Sequence, residues 1–102
     1  MSSRELLELA AKAAGIPSES IWPVSSEYLD KAWSPLTDDA DALRLAVKLR
    51  LEIEYGRRTG RVYVGPSGDA PVSGAECEGQ DLYAATRLAI VLAAAEIGRA
   101  MP

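Results

Sequence analysis

Residues 38–55 read Asp38-Asp39-Ala40-Asp41-Ala42-Leu43-Arg44-Leu45-Ala46-Val47-Lys48-Leu49-Arg50-Leu51-Glu52-Ile53-Glu54-Tyr55, and within them the apolar repeat changes period. Up to Leu49 the apolar positions recur at helical spacing. Leu43, Ala46 and Val47, with Leu45 and Leu49, supply the apolar side, and Arg44 and Lys48 lie one turn apart on the outer face. From Leu51 the period drops to two, with Leu51, Ile53 and Tyr55 alternating with Arg50, Glu52 and Glu54, as in a half-buried strand. The helix should begin near Thr37 or Asp38. Thr37, Asp38 and Asp39 are good caps, and Asp38, Asp39 and Asp41 put negative charge at the positive end of the helix dipole.

Downstream, Gly56 to Gly60 reads as a hairpin loop tipped by Arg57, Arg58 and Thr59. Arg61 to Val64 is its return strand, with Val62 and Val64 on one face. Residues 65–75 are rich in glycine and proline and should be a loop. A third short strand is expected at Ala75 to Glu78, with Ala75 and Cys77 inward. The last helix is capped by Asp81 and runs through residues 82–98. It is rich in alanine and leucine and apolar nearly all round, the pattern of a helix buried on more than one side.

Upstream, Ser2 and Glu5 have capping-box spacing. Leu6, Leu9, Ala10 and Ala13 then form one apolar stripe, and Gly15 and Pro17 stop the helix. Residues 15–37 are the least regular stretch. They are divided by Pro17, Pro23 and Pro35, and hold Trp22, Tyr28 and Trp33, aromatics suited to pinning a long connection to the body. The fold class that results is α+β: a small, mainly antiparallel three-stranded sheet with three helices in a two-layer or three-layer α/β/α sandwich, forming one domain over residues 1–102.

Composition narrows the function classes. The chain has 102 residues, 48% hydrophobic and 25% charged, which are ordinary globular proportions. Its net charge of −4 disfavours nucleic-acid binding through a basic surface. Ile90 to Ala95 is too tightly bracketed by Arg87 and Glu96 to span a membrane, and Arg4, Glu5 and Glu8 break any signal-peptide pattern. With one cysteine, Cys77, an intrachain disulfide is impossible. With no histidine, Ser-His and Cys-His nucleophile pairs are excluded within the chain, and so is the commonest neutral-pH base.

The run from Trp33-Ser34-Pro35-Leu36-Thr37-Asp38-Asp39 through Ala40-Asp41-Ala42-Leu43-Arg44-Leu45 resembles the signature of the phage ABA sandwich domain family, Trp-Asn-Pro-Leu-Thr-Asp-Asp-Gly-Asp-Ala-Leu-Arg-Leu. Asp81-Leu82-Tyr83-Ala84-Ala85-Thr86-Arg87 and Ala94-Ala95-Glu96-Ile97-Gly98-Arg99-Ala100 are also similar to it. The chain departs from the family pattern at Ser34, Ala40 and Leu82. The resemblance implies an α/β sandwich and a phage or prophage protein in the host bacterial cytoplasm. It implies no activity.

Three groups are candidate ligand or partner surfaces. Asp38, Asp39 and Asp41 offer carboxylates to a divalent metal or, alternatively, only cap and complement the helix. Trp33 and Pro35 either line a pocket or plug the entry to the second helix. Arg57, Arg58 and Arg61 either clamp phosphate or keep a solvated hairpin from pairing at its edge. No catalytic set, metal site or cofactor follows from these residues. The leading expectation is a non-enzymatic interaction protein with a protein partner or a homo-oligomeric form, using the last helix or the tryptophan loop. The alternative is a binder of a small nucleotide-like ligand, or a modest enzyme with a metal on Asp38 and Asp41.

Overall fold

The computed structural model describes residues 2–16, 33–56, 61–66, 73–76 and 81–102. They form an α+β fold of three helices and an antiparallel sheet: α1 (Ser3–Ala14), α2 (Asp39–Lys48), β1 (Leu51–Tyr55), β2 (Arg61–Pro66), β3 (Ser73–Glu76) and α3 (Leu82–Ala100). Trp22, Tyr28, Arg57, Arg58 and Cys77 lie outside the described residues.

The helix ends follow their capping chemistry. Ser2 Oγ accepts from the Glu5 amide at 3.2 Å, satisfying one donor of the first turn. Gly15 closes α1 with φ +70°, and Ile16 N donates to Ala11 O at 2.9 Å, the wrap-around bond that such a glycine permits. Asp38 and Asp81 cap α2 and α3 through the amides of Ala40 and Tyr83. The chain turns from α2 into β1 through Arg50, which takes φ +54°.

Alanine content sets the packing. α3 is central: it lies against α1, α2, β2 and β3. Its buried residues (Ala85, Ala89, Ile90, Val91, Ala93, Ala94, Ala95 and Gly98) point in several directions. The buried stripe of α1 is Leu7, Ala10, Ala11 and Ala14, one position round from the expected Leu6, Leu9, Ala10 and Ala13. Small side chains bring the two helices together, so the alanines face inward and Leu6 and Leu9 flank the contact. At the closest approach, a Cβ on Gly98 would stand 1.9 Å from Leu9 O.

β1 and β2 pair antiparallel, Ile53 opposite Val64 and Tyr55 opposite Val62. Directly opposed residues share a face, so Ile53 and Tyr55 stand with the fully buried Val62 and Val64, on the side covered by α2 and α3. Glu52 and Glu54 are exposed. β2 extends beyond the expected Val64 to Pro66, which lies opposite Leu51. A proline is tolerated at the end of a strand. On the other edge of β2, Ser73–Glu76 runs antiparallel, Val62 opposite Ala75. This segment begins two residues before the expected Ala75 to Glu78.

Candidate functional site

The three aspartates of the α2 N-terminus go to three different partners. Asp38 is the N-cap. Asp41 is buried, and its Oδ2 accepts from the Ser34 amide at 2.9 Å, while Arg44 Nη1 donates to Oδ1 at 3.5 Å. Asp41 therefore holds the Trp33–Thr37 turn against the helix. Asp39 is exposed and paired with Arg87 on α3. Among the described residues no group of three or more acidic or cysteine side chains is placed to hold a metal ion.

The tryptophan turn packs against the body of the fold. Pro35 is fully buried, and Trp33 and Leu36 pack on the core. The Ser34 carbonyl accepts from Thr37 N and Asp38 N, which closes the turn just ahead of the helix. Arg87 secures it from the other side: its Nε donates to Leu36 O at 3.0 Å and its Nη1 binds Asp39. One half-buried arginine thus ties the entry of α2 to α3. Of the arginine cluster, Arg61 is half-buried on β2, and Arg57 and Arg58 lie outside the described residues.

The residues that do converge are apolar. A cleft of about 480 Å³ opens between α2, β1 and the N-terminal half of α3, floored by Ala42, Ile53 and Ile90 and rimmed by Leu43, Tyr55, Leu82 and Tyr83. Its polar groups are mutually engaged. Thr86 Oγ1 donates to Leu82 O at 2.8 Å and lies 3.2 Å from the Tyr55 hydroxyl. With the threonine proton committed, the tyrosine is the donor. Asp39 and Arg87, at one end of the cleft, neutralise each other.

Sequence reasoning missed this site because it assigned Leu43 and Val47 to the buried side of α2. The buried residues are Asp41, Ala42, Leu45 and Ala46, whereas Leu43 is 60% and Val47 67% exposed. Among the described residues the large apolar side chains left exposed are Leu43, Val47, Tyr55, Leu82, Tyr83 and Met101. All but Met101 line the cleft or, in the case of Val47, stand one turn along α2 from it. The signal was present: six apolar residues between Ala42 and Leu49 are more than one helix face can bury.

No family model, curated protein or solved structure matches the chain. Among the described residues no helix is long and apolar enough to cross a membrane.

Proposed function

We propose that the chain is a small phage or prophage accessory protein of the host bacterial cytoplasm, built as an α/β sandwich and acting as a non-enzymatic protein-interaction module. Its contact surface is the α2–β1–α3 cleft. The observation that carries this reading is the clustering of Leu43, Val47, Tyr55, Leu82 and Tyr83 in one exposed patch. Contiguous apolar surface rimmed by charge is the usual mark of a docking site, and tyrosine supplies contact area at low entropic cost. Asp39 pairs with Arg87 and Tyr55 with Thr86, so among the described residues no free nucleophile–base pair lines the cleft, which supports binding over catalysis.

A photo-crosslinking residue at position 83, incorporated in bacterial cells, tests the reading. A defined protein adduct at the cleft is the expected result. The reading fails if no protein is captured while native mass spectrometry of the freshly purified chain shows a retained small molecule. That outcome would favour a second reading, supported by the cleft volume, which lies in the range of small-ligand pockets. A nucleotide-like ligand would then need a cation, and among the described residues lining the cleft the one cation, Arg87, is held by Asp39 and Leu36 O.

A further inference from the structure

We propose that the occupant of the cleft face is a second copy of this chain, docked with its α2 antiparallel to the first; this rests on the reading of the cleft as a protein contact surface. A two-fold interface requires one patch that complements itself, and this face has the parts. It carries a ridge, Leu43 and Val47 one turn apart on α2, beside a groove rimmed by Leu82, Tyr83 and Tyr55. The ridge of each copy can lie at the mouth of the other's groove.

Charge sets the direction. α2 has Asp39 in its first turn and Lys48 in its last, with the exposed Arg50 just beyond. With Asp39 engaged by Arg87 of its own chain, an antiparallel partner keeps the Lys48 and Arg50 ends of the two copies apart and opposes the two helix dipoles favourably, whereas a parallel partner would set those basic ends together.

The area is sufficient. An aromatic side chain carries about 150–250 Å². Tyr55 and Tyr83 are 51% and 67% exposed and Leu82 is 47% exposed. With Leu43 and Val47 the patch exposes roughly 600 Å² per copy, so complete burial of it reaches about 1,200 Å² for a pair, the lower bound of specific interfaces.

Sedimentation velocity from micromolar to hundred-micromolar concentration tests this. The wild type should sediment as a dimer of the 10.9 kDa chain. Leu43→Asp should raise the dissociation constant at least ~30-fold, the loss that marks a hot spot at the centre of an interface, and adding Val47→Asp should leave a monomer. Both positions are exposed, so circular dichroism and thermal midpoint should be retained. In a Cys77→Ser background with diamide as oxidant, Leu43→Cys, at the midpoint of α2 and so nearest its own copy across the two-fold axis, should form an interchain disulfide. A wild-type monomer throughout overturns the proposal, as does a dimer indifferent to both aspartates or one whose Leu43→Cys thiol stays free. A monomer that still crosslinks another protein through position 83 defeats the second copy but leaves the docking surface standing; loss of both crosslink and dimer defeats both.

Discussion

Replacing Gly98 by alanine should destabilise the protein, although alanine is the best helix former and glycine nearly the worst. A Cβ at position 98 would lie 1.9 Å from Leu9 O, 2.8 Å from Leu9 C and 3.3 Å from Leu9 Cα. A carbon normally stands about 3.3–3.6 Å from a carbonyl oxygen in such a contact, so the two backbones must separate by about 1.4 Å or more. No rotamer change relieves a clash with main chain. A gap of 0.5–1 Å already forfeits about a quarter to a half of each dispersion contact, and α1 is held to α3 by the short side chains of Ala10, Ala11 and Ala14. Overpacking of this kind costs about 1–3 kcal/mol or more, and the rigidity of both partners puts this site at or above the upper end. The intrinsic gain from glycine to alanine returns about 1 kcal/mol. The net loss should be about 2–3 kcal/mol, which lowers the thermal midpoint by roughly 8–15 °C for a domain of this size. Calorimetry and urea titration measure it, with an unchanged urea slope expected. Adding Leu9→Ala should give no rescue, because the obstacle is the carbonyl. A Gly98→Ala protein as stable as wild type, or more so, would refute the backbone-to-backbone crossing at this point.

The same substitution at Gly15 should act by a different route. Nothing lies within 4 Å of a Cβ there, but φ is +70°, so Gly15→Ala should cost about 1 kcal/mol from conformation alone, read as a midpoint decrease that no partner mutation alters. Arg50 is the converse, a branched-free but non-glycine residue at φ +54°: Arg50→Gly should raise urea stability by about 0.5–1 kcal/mol. Arg87→Met should lose the bond to Leu36 O and loosen the α2 entry, costing about 1–3 kcal/mol in thermal melts. Asp39→Asn should cost much less, since its carboxylate is exposed and such pairs contribute little.

These contrasts show where the sequence was legible. Element order, the caps at Ser2, Asp38 and Asp81, the stop at Gly15 and the burial of the last helix on several sides follow from local rules that need no knowledge of neighbours. Helix faces were less readable. In α1, counting leucines pointed to Leu6 and Leu9, but the contact was chosen by size: only alanines allow the approach at Gly98, and the stripe turned by one position. In the aspartate cluster, three identical side chains within one turn have one appearance in sequence and three fates in space. Asp41 serves the Ser34 amide, Asp38 its own helix, and Asp39 an arginine 48 positions away. The last of these is a tertiary fact with no local trace.

The misread face of α2 bears on function. A helix that buries one face needs apolar residues on about a third of its circumference. The α2 segment has enough for two faces, and even places the buried Asp41 on the inner one, where it can be satisfied by the Ser34 amide. Had Leu43 and Val47 been needed for the core, Asp41 would have had no reason to be inside. A carboxylate is tolerated in the interior because the turn requires it, and two aliphatic side chains, Leu43 and Val47, remain mostly exposed among the described residues. Leu82 and Tyr83 are in the same position at the start of α3: neither caps the helix, a task that Asp81 performs, and neither reaches the core. Among the described residues none buries these side chains, and their meeting at a single cleft is explained if that cleft is covered by protein.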